Sequence, residues 1–181
     1  LTIVTPSRWL ADEVKQSFLK DYPVQVIPNG VDQTIFRPTE NDLRKKLGLE
    51  HSFVILGVAT VWERRKGLSY FCGLAKKLPE DCKIILIGLN EKQIRELPEE
   101  IIGITRTENA EELAGYYSMA DVFVNATLED NFPTTTLEAL SCGTPVITFE
   151  TGGSPESLDK TCGRVERKGD AEALRQATLA E

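Results

Sequence analysis

The chain is predicted to fold as α/β, with an open, mainly parallel sheet of about six strands and helices on both faces, and three features of its 181 residues carry that prediction. Short β-rich runs recur, each followed by a segment of helical periodicity. Two of the runs, "VILGV" and "IILIG", are apolar without alternation, as strands are when both faces of their sheet are covered. Strand-helix-strand alternation also implies right-handed crossovers between parallel neighbours.

The elements follow in order. "TIVT" precedes "SRWLADEVKQSFL", where Ser7 can cap a helix and Leu10, Val14 and Phe18 repeat every four residues on one face. "VQVIP" reads as the next strand, and "DLRKKLGL" as a short helix closed by Gly48. "FVILGVAT" leads into "KGLSYFCGLAKKL", and "KIILIG" into "KQIREL". "IIGIT" precedes "NAEELAGYYSMA", with Leu113, Tyr116 and Tyr117 on one side. "DVFVN" leads to "EDNFPTTTLEALSCG", and "PVITF" to "SPESL". The chain starts without Met and stops in "GDAEALRQATLAE", which reads as an unfinished helix. Residues 1–181 are therefore expected to be one domain excised from a larger enzyme.

Composition removes several functional classes. A net charge of -7 argues against broad nucleic-acid binding, which needs a basic face; the one basic cluster is "RRK" at residues 64 to 66. Cys72, Cys82, Cys142 and Cys162 form no CxxC pair and His51 has no neighbouring ligand set, so neither a zinc site nor Cys-His nucleophilic catalysis is expected. No run approaches the roughly 20 apolar residues of a membrane span, and nothing resembles a signal peptide; a soluble, cytoplasmic protein is expected.

Ligands of open parallel sheets lie beyond the carboxyl ends of the strands. Two loops fall there: "VWERRKG" after "FVILGVAT", and "EDNFPTTT" after "DVFVNATL". With neither GxGxxG nor GxxxxGK[ST] in the chain, any phosphate must be held by other means. The individual residues leave local alternatives open. Thr135-x-x-Glu138 has the form of a capping box, Asp130 that of a turn acid, and "RRK" that of a solvated surface. Gly152 and Gly153 in "TGGSPE" permit either a turn or close approach of backbone to a ligand, with Ser154 and Pro155 as N-cap and N1 of a helix. Trp9 reads as a packing residue of an amphipathic helix, Trp62 stays open between packing and sugar stacking, and "PNGVD" reads as a turn.

Taken together, "RKGL", "ADVFVNATLEDNFPTTTLEALSCGTPVI" and "TGGSPE" resemble the donor-binding half of a retaining glycosyltransferase of family 4, the glycosyl transferases group 1, which has the two-domain GT-B fold. "TPSRWLADEV" and "VIPNGVDQTIFRP" resemble the segments that enter that half from the interdomain hinge. The resemblance implies a Rossmann-like domain that binds a nucleotide-diphosphate sugar. It implies Glu138 as acceptor of the two ribose hydroxyls, Asp130 as the acid facing the donor sugar, and Lys66 and Arg65 on the diphosphate. Asn131, Phe132, Pro133, Thr134 and Thr135 would meet diphosphate or sugar at a helix N-terminus, and Gly152 and Gly153 would approach the donor. Arg106, in "TRTEN", would lie over the base, by stacking or in a salt bridge, and Glu156 would be a donor-site acid or a helix-dipole partner. Relatives usually carry Glu at both acid positions, so Asp130 is one methylene short; they also carry an earlier "GR" pair where this chain has "ATVWE", and Arg65 is read as supplying that charge.

The implied reaction moves a sugar to an acceptor hydroxyl with retention, without metal or other cofactor, in bacterial capsule, exopolysaccharide or lipopolysaccharide synthesis. A glycan or lipid-linked acceptor, and any peripheral contact with the inner face of the membrane, would belong to a missing N-terminal domain, and the fragment alone would be inactive. The rival readings are a nucleotide-sugar epimerase of the same architecture and a non-catalytic nucleotide-sugar-binding module.

Overall fold

The computed structural model describes residues 1–180. The first strands form a small unit of their own: β1 (Ile3–Thr5) and β2 (Val24–Val26) pair in parallel, joined through α1 (Arg8–Lys15). Ser7 caps α1 as predicted, its Oγ accepting from the Leu10 amide at 3.1 Å. The helix is shorter than the periodicity implied. The Ser17 hydroxyl donates to the Val14 carbonyl and accepts the Leu19 amide, competing with the helical ladder, so Phe18 falls outside the helix and is 90% exposed. α2 (Leu43–Leu47) ends on Gly48 at φ +68°, the left-handed position that glycine takes without a Cβ penalty.

The main sheet contains β3 (Phe53–Val58), β4 (Cys82–Ile87), β5 (Ile101–Ile104), β6 (Val122–Asn125), β7 (Val146–Phe149) and β8 (Gly163–Glu166). All pairs are parallel and the spatial order is β5-β4-β3-β6-β7-β8. The α/β class and the parallel sheet are as predicted, but two of its members differ. "TIVT" and "VQV" lie outside the main sheet, and "GRVE", which has no apolar pattern, supplies the edge strand β8.

Alternation along the strands separates two cores. Val54, Leu56, Ile85, Ile87, Phe123 and Val146 face α5 (Ala110–Met119) and α6 (Thr134–Ser141). Ile55, Ile84, Leu86, Val124, Ile147 and Phe149 face α3 (Leu68–Ala75) and α7 (Ala171–Thr178). The terminal run forms α7, with Asp170 as its cap and Leu174 and Ala177 in the core. α4 (Glu91–Arg95) opens with a capping box between Asn90 and Gln93. "SPESL" is a one-turn 3-10 helix, Ser154–Ser157, with Gly153 rather than Ser154 at its cap position. Trp62 is a packing residue: buried, edge-on to Phe71 at 5.3 Å, with Nε1 donating to the Ile87 carbonyl at 2.8 Å. The four cysteines are free. Among the described residues, no helix is long and apolar enough to cross a membrane.

The order has one consequence for function. From β3 the chain continues to β4 and β5 on one side, and from β6 to β7 and β8 on the other. β3 and β6 therefore flank the switch point, where the connections diverge and leave a crevice beyond the strand ends.

Candidate functional site

Two loops enclose that crevice. After β3 the chain runs through Trp62, whose carbonyl accepts the Gln93 side-chain amide at 2.7 Å, into a 3-10 turn, Arg64–Lys66. Gly67 follows at φ +79°, and a Cβ there would lie 2.1 Å from the Ala126 carbonyl oxygen, so only glycine lets this turn meet the end of β6. The loop after β6 is bound to the same turn: the Leu128 amide donates to the Arg65 carbonyl at 2.7 Å. On its other side the Thr151 hydroxyl donates to the Leu128 carbonyl at 2.9 Å, and the Gly153 amide to the Asp130 carbonyl at 3.2 Å.

This bracing brings Lys66 Nζ to 2.6 Å from Asp130 Oδ2, with the side chains 23% and 16% exposed. One carboxylate oxygen and two ammonium protons remain for a ligand. The pair lines a cleft of about 360 Å³ with Val58, Thr60, Arg65, Phe132, Pro133, Thr134 and Thr135. Arg65 stands more exposed, 3.2 Å from Glu63. α6 opens into the cleft: Pro133 is its N-cap and no side chain caps it, so the first-turn amides and the positive end of the helix dipole lie beside Thr134 and Thr135.

The capping box suggested by Thr135-x-x-Glu138 does not form. Thr135 is the second residue inside α6, and Glu138 lies a turn farther on. Glu138 Oε2 accepts from the Tyr117 hydroxyl at 2.9 Å. Burial pushes the Glu138 carboxyl up, against the lowering effect of the Tyr117 hydrogen bond and of the nearby Thr134 hydroxyl. Burial and the nearby Glu138 hold the Tyr117 hydroxyl well above its ordinary value. Among the described residues no cation pairs with Glu138; a partly buried carboxylate held only by hydroxyls is costly and marks a functional-site candidate.

Lys66, Arg65, Asp130, Phe132, Pro133, Thr134 and Thr135 are thus assembled at one cleft, with Asn131 exposed on the same loop. Gly152 and Gly153 approach protein backbone: a Cβ would fall 1.8 Å from the Asp130 oxygen and 1.9 Å from that of Asn131, respectively. They shape the acid loop. Arg106 lies apart, beyond edge strand β5, exposed in a separate concavity with Thr105, Thr107 and Glu108. Glu156 is a helix-dipole partner, but of a distant helix: its two oxygens accept the Arg8 and Trp9 amides at 2.8 Å each, at the start of α1. The contact that sequence reasoning missed is Tyr117. A buried tyrosine needs a partner for its hydroxyl, and that rule was the available signal.

Six parallel strands, two covered faces and a charged cleft at the switch point define a Rossmann-like domain of the kind that forms one half of a GT-B enzyme. The family described as glycosyl transferases group 1 matches residues 52–180, and the chain belongs to it. D-inositol 3-phosphate glycosyltransferase of Corynebacterium jeikeium (strain K411) is 29% identical over 181 residues, covering 88% of this chain and 43% of the relative. Sucrose-phosphate synthase of Thermosynechococcus elongatus superposes with a TM-score of 0.86 at 25% identity, covering 99% of this chain and 48% of that one. Anabaena Alr3699/HepE, solved in complex with UDP and glucose, superposes with a TM-score of 0.83 at 18% identity, covering 99% and 53%. The chain spans about half the length of these proteins.

Proposed function

We propose that this chain is the donor-binding domain of a retaining family 4 glycosyltransferase that transfers a sugar from a nucleotide-diphosphate sugar to an acceptor hydroxyl. The observation that carries this reading is the pair of Lys66 and Asp130, set at the switch-point cleft beside the uncapped start of α6. A diphosphate has its charge met there by Lys66, Arg65 and the helix-end amides, a preorganised stabilisation of the leaving group that requires no metal ion. Asp130 addresses the sugar and its developing positive charge. Glu138, an acceptor-only group, takes the ribose hydroxyls. UDP in the complex of Alr3699/HepE supports a nucleotide donor, and UDP is the first to try. Placement in surface polysaccharide synthesis rests on the likeness of residues 129 to 147 to bacterial enzymes of that kind.

Calorimetric titration of the chain with UDP, GDP, ADP and their glucose conjugates tests the reading. Saturable binding that selects one base and weakens in Lys66→Ala and Glu138→Gln supports it. A folded chain that binds none of them, or whose variants bind as tightly as the parent, overturns the assignment of this cleft.

A further inference from the structure

Tyr117 lies on α5, fully buried, yet its hydroxyl reaches the neighbouring helix and one oxygen of Glu138. The ring cannot easily move. Phe123 meets it edge-on at 5.4 Å and Phe36 at 6.2 Å, and its own carbonyl accepts the Thr144 hydroxyl at 2.6 Å. Phe36 is itself held, because its carbonyl accepts the Ser141 hydroxyl at 2.6 Å. Glu138, by contrast, is a flexible side chain whose carboxylate plane must be fixed before it can accept two hydroxyls at once.

We infer that Tyr117 is a positioning residue for the donor's ribose: its hydroxyl occupies Glu138 Oε2 and sets the carboxylate plane, leaving the remaining lone pairs directed at the 2′- and 3′-hydroxyls. The inference rests on the ribose reading of Glu138. Thr134, one turn before Glu138 on α6, lines the cleft. One neutral donor is used, and about three of the roughly four acceptor sites of a carboxylate stay open. A cation in place of Tyr117 would hold the same plane but draw off the charge that the ribose hydroxyls require. The positioning role is therefore suited to a rigid, uncharged phenol.

The test compares the affinity of the chain for UDP with that for 2′,3′-dideoxyuridine diphosphate, in the parent, Tyr117→Phe, Glu138→Gln and the double variant. Phenylalanine keeps the ring packing and removes only the hydroxyl. The parent is expected to prefer UDP roughly tenfold or more, as for a hydrogen bond to a charged group. Tyr117→Phe is expected to lower that preference at least threefold while dideoxy affinity stays unchanged, and to have no further effect in the Glu138→Gln background. An unaltered preference in Tyr117→Phe, whatever its melting temperature, would make the contact purely structural and overturn the inference while leaving the ribose reading intact. A parent that does not distinguish the two ligands would remove both. Should Tyr117→Phe not fold, the tyrosine Cζ resonances of the parent decide. One fully buried tyrosine is expected to shift with UDP and not with the dideoxy ligand; no such shift overturns the inference.

Discussion

The Lys66 ammonium meets Asp130 Oδ2 at 2.6 Å although the two residues are 64 positions apart. They meet because β3 and β6 are neighbours, and because glycines at 67 and 152 let the flanking loops touch without a Cβ between them. The contact joins a cation read as a phosphate ligand to an acid read as a sugar ligand.

Replacing Lys66 by alanine should weaken UDP binding about tenfold or more while leaving uridine binding nearly unchanged, because only the diphosphate carries the charge that the ammonium meets. Titration calorimetry with both ligands reads the difference; equal losses would remove the phosphate contact. The same variant leaves a largely covered carboxylate without its cation and should cost about 1–2 kcal/mol in urea unfolding. Part of that loss should be recovered in a Lys66→Ala, Asp130→Ala double variant.

Glu138→Gln should stabilise the fold at neutral pH even as it weakens UDP binding. Burial raises the folded-state pKa of Glu138 above its unfolded value, so the native chain holds its proton longer. Stability then falls as pH rises from the unfolded pKa through the folded one, and the penalty persists above it. The glutamine variant escapes this. Its melting temperature relative to the parent should therefore climb between acidic and neutral pH, and a flat difference would contradict the raised pKa.

Gly152→Ala should be severely destabilising, on the order of 2 kcal/mol or more, because residue 152 sits at φ +52° and its new Cβ would overlap the Asp130 carbonyl oxygen at 1.8 Å. Gly30→Ala is the control, with nothing within 4 Å of its Cβ and no positive φ, and should stay within about 0.5 kcal/mol of the parent. Urea unfolding of the pair checks the contrast.

Glu156→Gln should loosen α1 and spare the main sheet. The carboxylate accepts the Arg8 and Trp9 amides at 2.8 Å each; glutamine keeps one acceptor oxygen, so one amide at the helix N-terminus loses its partner and the other its charge assistance. Amide exchange at Arg8 and Trp9 should accelerate at least tenfold while β3 and β4 amides keep their protection. Uniform acceleration would mean that Glu156 supports the whole fold.

Much of this protein was legible from local pattern. Continuous apolar runs such as "IILIG" announce strands covered on both faces, and that run forms β4, an interior strand with a neighbour on each side. Gly48 and Ser7 mark helix ends because their backbone and hydrogen-bonding constraints act within a few residues. "GRVE" failed as a strand signal because an edge strand buries little, and Phe18 misled because a four-residue spacing does not reveal where the ladder stops.

The sequence by itself determined the strand-helix alternation, the two loops that follow β3 and β6, and the residue types those loops carry. Only the tertiary structure decided which partners these residues meet. The spacing of Thr135 and Glu138 allowed a bond within one helix; Glu138 faces Tyr117 instead, because α5 and α6 pack side by side on one face of the sheet. Glu156 addresses the start of a helix far away in the chain, 148 positions from Arg8. Arg106 stands apart because β5 is an edge strand, two places from β3. Periodicity and caps are local physics, whereas pairing across the sheet depends on strand order, which no short stretch of sequence encodes.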